Sequence, residues 1–305
     1  MSHRFHTSLS QWIALTLAIV LSSTLVACSQ PTGSSVQEDS VASQANQPLE
    51  SVQRIVALTS LSADITQQLD STKLVGIPGS PLLDNDPRFA ELPQVSQGQT
   101  PPSLEKIIAL QPDLVIGATG FHDRIAARLA ELEIDTYLTT LDSWQSLEEL
   151  TKAIASAINV NPEPLLSQYE QFIQSPAQSD SSLLILASTQ PILSPNKNSW
   201  SGDFLTRLKI ENVVADLQGN APISGYITLS PEKLIQIDPD RLIVIKFGGQ
   251  SPLPELQANG FWSELKAVKN EDVHVFDYYG LINPGSIAAI AEASEQLQEL
   301  REIEN

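Results

Sequence analysis

From residue 52 onward, short apolar runs alternate with amphipathic stretches. Arg54-Ile-Val-Ala-Leu58 has the apolar density of a buried strand, and Thr59, Ser60 and Ser62 follow as candidate caps for a helix reaching Leu69. Lys73–Ile77 predicts a second strand, while Pro78–Pro102 is rich in turn formers and predicts loop. Ser103–Leu110 predicts a helix that ends ahead of Pro112, because a residue preceding proline is steered out of the helical region. Asp113–Ala118 then predicts a third, fully apolar strand. Such alternation predicts an α/β class built on parallel sheets.

The pattern repeats. Ser103-Leu-Glu-Lys-Ile-Ile-Ala-Leu-Gln-Pro-Asp-Leu-Val-Ile-Gly117 returns as Ser230-Pro-Glu-Lys-Leu-Ile-Gln-Ile-Asp-Pro-Asp-Arg-Leu-Ile-Val244, with seven of fifteen positions identical. Both copies decode as capped helix, Pro-Asp turn and buried strand, so two related lobes are expected. A fainter echo aligns Asp64-Ile65, Leu69, Leu74, Val75 and Gly76 with Asp203-Phe204, Leu208, Val213, Val214 and Ala215 at one constant offset. Between the copies, Ser143–Ser175 predicts helix broken at Asn161-Pro162 and Pro164, its second part joining the lobes. A strand over Leu183–Ala187 opens the second lobe.

The N-terminus follows a different pattern. Residues 1–27 carry Arg4, no acid and an apolar run from Trp12 to Ala27, the layout of a secretory signal. That run is short for a membrane span and is interrupted by Thr16, Ser22, Ser23 and Thr24. It ends in Leu25-Val26-Ala27-Cys28, which resembles the lipobox of bacterial lipoproteins, and Cys28 is the only cysteine, so lipidation is expected there. Residues 28–51 are rich in Ser, Gln, Asn and Pro and predict a flexible tether. The expected organisation is a signal over 1–27, a tether over 28–51, an N-terminal lobe over 52–160, a bridging helix and linker over 161–180, and a C-terminal lobe over 181–305.

Charge narrows the partners. The net charge of −19 repels phosphate backbones and anionic headgroups, so nucleic-acid binding and electrostatic membrane adhesion are disfavoured. The acidity suits a positively charged partner or serves solubility alone. No nucleophile elbow, phosphate-cradling glycine loop or Ser-His-Asp order stands out, so no catalytic residue is assigned. After the signal only His122 and His274 remain, with no zinc-like or iron-like spacing, so no metal site is assigned. His274 lies in a strand pattern and reads as structural. His122 is either a ligand contact or an exposed loop residue.

Open parallel sheets receive ligands at the carboxyl ends of their strands. The candidate loops are Thr59–Ser62, Ala118–His122, Ser188–Gln190, Phe247–Gln250 and Asp277–Asn283. From them and their surroundings, Ser60, Phe121, His122, Trp200, Tyr226, Phe247, Tyr278 and Tyr279 are the candidate ligand contacts, since aromatic rings give a small-molecule ligand large apolar contact. Each ring could equally belong to a lobe core. Trp144 and Trp262 sit in helical patterns and read as packing residues.

Arg54-Ile-Val-Ala-Leu-Thr-Ser-Leu-Ser-Ala-Asp-Ile65, Pro112-Asp-Leu-Val-Ile-Gly117, and the second Glu-Lys-Leu-Ile with Pro239-Asp240 resemble the periplasmic binding proteins of iron-siderophore, haem and cobalamin ABC importers. The resemblance covers residue 52 to the C-terminus. It implies two Rossmann-like lobes joined by a bridging helix, a non-enzymatic role, no cofactor, and a ligand such as a ferric siderophore, a corrinoid or haem. It also implies an ABC permease and its ATPase as partners, a monomer, and a place in the periplasm or at the cell surface. The family's permease-docking glutamates match Glu105 and Glu232, whose local alternative is capping of the helix start. Some haem-binding members use a phenolate, which Tyr278 or Tyr279 would supply. Pro162–Ser175 is short for the family's bridging helix. The competing classes are an envelope enzyme on the same fold and a sensor or adaptor that does not transport.

Overall fold

The computed structural model of the chain describes residues 51–98, 100–174, 181–219, 221 and 223–302, with side chains to Leu300. The signal, Cys28 and nearly all of the tether lie outside the described residues. The first half runs β1 (Ile55–Ala57), α1 (Ser60–Asp70), β2 (Leu74–Gly76), α2 (Pro81–Asp84), α3 (Leu104–Ala109), β3 (Leu114–Ala118), α4 (Asp123–Ala130) and β4 (Asp135–Thr139). Its strands form one parallel sheet in the order β2-β1-β3-β4. Next come α5 (Trp144–Ile158) and α6 (Glu163–Phe172).

The second half begins with β5 (Ser182–Leu186), β6 (Ser188–Thr189), β7 (Ile192–Pro195), α7 (Trp200–Arg207), β8 (Glu211–Asn212) and β9 (Tyr226–Leu229). It continues through α8 (Pro231–Ile237), β10 (Arg241–Lys246), α9 (Leu253–Gln257), α10 (Lys266–Lys269), β11 (Val273–Asp277), the kinked turn α11 (Tyr278–Leu281) and α12 (Ile287–Glu302). The parallel sheet β11-β10-β5-β8 has the same strand order as the first, read in reverse. A small antiparallel sheet, β6-β7-β9, occurs in this half alone among the described residues.

The sequence repeat has a physical cause. Ser103 Oγ accepts the Lys106 N–H at 3.3 Å, and Ser230 Oγ accepts the Lys233 N–H at 3.2 Å, so each serine starts its helix. Each Pro-Asp turn then locks a sheet. Asp113 Oδ2 accepts the Gln53 and Arg54 N–H groups at 2.8 and 2.9 Å. Asp240 Oδ2 accepts the Ser182 N–H at 3.0 Å and its hydroxyl at 2.7 Å. In both lobes the carboxylate satisfies backbone donors where the neighbouring central strand begins.

The fainter echo is also structural. Asp64 on α1 accepts the Ile287 N–H at 2.8 Å and so caps α12. Asp203 on α7 accepts the Trp144 N–H at 2.7 Å and so caps α5. Each carboxylate complements the positive end of a helix belonging to the other half.

Strand alternation distributes the core. Ile55 and Ile116 of the first sheet, with Leu183, Ile185, Ile243 and Ile245 of the second, face one continuous apolar cluster that includes Trp144, Tyr169, Phe204 and Leu297. The alternate residues Leu184, Leu186, Leu242 and Val244 face a separate cluster with Trp262, while Val56 and Val115 join Ile107 and Leu129. Sheets buried on both faces need such unbroken aliphatic strands.

One expectation changes. Pro78–Pro102 is more than a loop: Ser80 and Asp86 cap short helical turns whose first residues are Pro81 and Pro87, and Leu83, Phe89 and Val95 are buried. The helix after Pro162 spans only Glu163–Phe172, yet it is anchored from both sides. The hydroxyls of Tyr169 and Thr151 of α5 lie 3.1 Å apart, and Phe172 O accepts bonds from Ser294 and Gln298 of α12.

Candidate functional site

The carboxyl ends of β10 and β11 carry an aromatic group. The Phe247 ring meets Tyr278 edge to face with centroids 5.1 Å apart, and Tyr278 meets Tyr279 likewise at 5.4 Å. Both geometries are favoured by the ring quadrupoles. Tyr226 opens β9 and is partly buried. Burial, and then Tyr278, push the Tyr226 phenol up to about 12, against a hydrogen bond to Ser201. Burial raises the Tyr279 phenol as well, with Tyr278 and Asp277 adding to it. Both phenols are therefore neutral hydrogen-bonding groups at physiological pH.

The local backbone explains why these rings converge. Asp277 ends β11 and accepts the Tyr279 N–H at 3.2 Å, while its other oxygen lies 3.7 Å from Lys246 Nζ at the end of β10. Gly280 holds φ +89, a conformation that favours glycine, and a Cβ there would fall 2.1 Å from Ala289 O. The chain thus turns sharply behind the two tyrosines. Phe247 is 59% exposed and presents its ring outward.

The first-lobe candidates form a separate set. Phe121 is 88% exposed at the tip of the turn after β3. His122 is half-buried; its Nδ1 accepts the Ala118 N–H at 2.9 Å, and burial lowers its pKa, so the ring is neutral with Nε2–H left as its donor. Ser60 opens α1 and is partly exposed, beside Thr59, which caps the helix by accepting the Ser62 N–H. Among the described residues no hydrogen bond joins these three to the aromatic group, and the Phe121 ring does not pair with it.

Trp200 requires a correction. It is 2% exposed, stacked on Trp144 at 5.8 Å and packed on Phe204, and its Nε1 donates to Gly280 O at 2.8 Å. It is a core residue that holds the turn behind Tyr279 and offers no face to a ligand. The signal was present in sequence, because Trp200, Phe204 and Leu208 recur every four residues on one helix face. The Ser188–Gln190 loop also turns elsewhere: Thr189 and Gln190 bond Glu255, and they border a hollow of about 410 Å³ with Pro191, Leu256 and Phe261.

Other candidates have plain positions. His274 Nε2 lies 2.7 Å from Asp272 Oδ1, which also accepts Arg241 Nε at 2.7 Å, at the opposite end of β11 from the aromatic group. Among the described residues no group of three or more His, Cys, Asp or Glu side chains is placed to hold a metal ion. No helix there is long and apolar enough to cross a membrane. Glu105 and Glu232 are both exposed in the first turns of α3 and α8, and a bond with the Ser230 hydroxyl holds Glu232 below the usual carboxylate range. Sequence reasoning missed Ile108 and Ile235, one turn beyond each glutamate, which are 40% and 37% exposed at equivalent positions of the repeat.

Known proteins share this architecture. A family model described as periplasmic binding protein matches residues 55–278. The chain is 28% identical over 198 residues to a putative ABC transporter substrate-binding lipoprotein, YhfQ, of Bacillus subtilis, covering 58% of this chain and 59% of that protein. It is 27% identical over 192 residues to the Fe(3+)-citrate-binding protein YfmC of the same organism, covering 58% and 57%. The match therefore spans less than two thirds of the length of either relative. A vitamin B12-binding protein of Vibrio campbellii is 26% identical over 282 residues, covering 86% and 94%. An ABC transporter substrate-binding protein from Listeria monocytogenes shares the fold at TM-score 0.66 and 22% identity, over 82% of this chain and 98% of that one.

Proposed function

The chain belongs to the periplasmic binding protein family, and from that premise we propose that it is the substrate-binding lipoprotein of an ABC importer for a metal chelate. A ferric siderophore is the first candidate, then a corrinoid or haem. The observation that carries this reading is the meeting of Phe247, Tyr278 and Tyr279 where a parallel sheet receives ligands. Rings suit the flat, apolar parts of such ligands, and the neutral phenols of Tyr226 and Tyr279 suit their polar edges. The names of the relatives support the chelate class and divide on its member. A phenolate from Tyr279 would require the field of a bound cation, because its environment favours the neutral form.

The absorbance spectrum of the protein purified from its own cells tests the reading. A Soret band, corrinoid bands or a ferric charge-transfer band would identify the ligand. A colourless protein whose fluorescence ignores ferric siderophores, cyanocobalamin and haemin would overturn it. Anchoring through Cys28 belongs to the same proposal, and mass spectrometry of the mature N-terminus checks for the acylated cysteine.

The importer's permease docks on Glu105 and Glu232. Their support is equivalence: each lobe presents an exposed acid with an exposed isoleucine one turn on. Reversing both charges is expected to leave chelate affinity unchanged and abolish uptake. Intact uptake in the double variant would sink the docking assignment.

A further inference from the structure

The segment from Asp277 to Ile287 carries Tyr278 and Tyr279 at one end and starts α12 at the other. Both halves of the molecule fasten it. From the second half, Trp200 Nε1 donates to Gly280 O at 2.8 Å and Ser201 Oγ donates to Leu281 O at 2.6 Å. From the first half, Asp64 Oδ2 accepts the Ile287 N–H at 2.8 Å. Asp64 is itself buried and held from outside, with Arg88 Nη2 at 3.0 Å from its other oxygen and Gln68 Nε2 at 3.2 Å. Arg88 is clamped in turn by Asp86 at 2.6 Å.

A second contact from the first half reaches the same strap. Gly285 holds φ +64, and a Cβ there would lie 2.6 Å from Tyr279 Cδ1 and 2.8 Å from Leu82 Cδ1. Leu82 of α2 and the Tyr279 ring therefore press on the same glycine. A hollow of about 210 Å³, lined by Asp64, Leu82, Arg88, Phe89 and Ser286 among others, lies at this foot.

We infer that Asp64 is a positioning residue for the second-lobe aromatic wall: through the α12 cap it sets where Tyr278 and Tyr279 stand. Movement of the first lobe is thereby transmitted to the ligand-facing rings of the second. Reading those rings as the ligand wall rests on the proposed function, whereas the mechanical link rests only on the contacts above. The molecule contains its own control. Asp203 makes the equivalent cap on α5, with Arg207 at 3.3 Å, but the segment that enters α5 carries none of the wall tyrosines.

The test uses the full chain labelled with 3-fluorotyrosine, whose five tyrosines give five fluorine resonances assignable by single Tyr→Phe changes. Asp64→Ala, which removes the acceptor of the Ile287 N–H, is expected to shift or broaden the Tyr278 and Tyr279 resonances and to lower the melting temperature. Asp203→Ala is expected to lower the melting temperature comparably and to move those two resonances less. Asp64→Asn, which keeps an acceptor oxygen, should move them less than Asp64→Ala. If Asp64→Ala does not fold, Leu82→Ala takes its place and should move the Tyr279 resonance alone. Unmoved Tyr278 and Tyr279 resonances in Asp64→Ala and Leu82→Ala, or equal movement in Asp203→Ala, would overturn the inference. No ligand is present in this experiment, so its outcome is independent of whether the chelate reading holds.

Discussion

The two halves share strand order, helix-start serines, Pro-Asp locks and swapped aspartate caps, but among the described residues only the second carries the β6-β7-β9 sheet and the contiguous aromatic group. What is duplicated is scaffolding; what differs is chemistry. Every shared device satisfies a backbone donor at a strand or helix start, a requirement both halves inherit from the same topology. The aromatic group meets no such requirement, since Phe247 stands 59% exposed, and its presence in one half alone marks that half as the more specialised.

The largest effect should come from breaking what joins the halves. Trp144 is fully buried in the shared cluster, stacked on Trp200 and in contact with Phe204 and Tyr169. Trp144→Ala is expected to cost ~3–5 kcal/mol, the usual range for a large aromatic removed from a core. It should speed hydrogen exchange in both β1 and β10. Trp262→Ala removes a similar volume from the second lobe's outer cluster and should loosen β10 while sparing β1. If Trp144→Ala loosens one half only, the shared core does not couple the two.

A smaller effect separates the two Pro-Asp locks. Asp113 accepts two backbone donors, whereas Asp240 accepts two groups of Ser182 and also pairs with Lys266. Lys266, followed by Ser182, depresses the Asp240 pKa from 3.8 to about 2. A depressed carboxylate stabilises the fold above its ordinary value and loses that contribution as pH falls through its folded value. The contribution of Asp240 is therefore complete above about pH 3.8 and disappears toward pH 2. Asp240→Asn should flatten the acid limb of stability in that window, as followed by circular dichroism. A limb unchanged in the variant would mean that the Lys266 pair contributes nothing measurable, the common result for exposed pairs.

The residues explain how much of this was legible in sequence. The duplicated Ser-x-Glu-Lys pair was readable because each serine caps its helix three residues on, whereas the Pro-Asp pair was readable as a turn but not as a lock on a strand about sixty residues away. The Asp64 and Asp203 echo was visible as spacing, yet its meaning was not, since each aspartate caps a helix from the other half. Phe247, Tyr278 and Tyr279 converged as strand-end logic suggests, but Trp200 went to the core, as its four-residue spacing with Phe204 and Leu208 signals. The β6-β7-β9 sheet escaped notice because β6 is two residues long and pairs through register rather than composition.

The smallest effect on stability, and the one that sharpens the comparison most, concerns Phe121 and Phe247. Phe121→Ala removes a ring that is 88% exposed, so stability should change by no more than ~0.5 kcal/mol. Phe247→Ala also loses an edge-to-face partner, worth about 0.5–1.5 kcal/mol. If the ligand wall lies in the second half, Phe247→Ala should weaken binding of the chelate identified by the absorbance spectrum by roughly tenfold, equivalent to about 1.4 kcal/mol. Phe121→Ala should then leave affinity within about twofold, a difference well under that figure. Titration of both variants by fluorescence quenching decides it. Equal losses would mean that the first half supplies an equivalent face despite its sparse chemistry, and recognition would then be as duplicated as the scaffold.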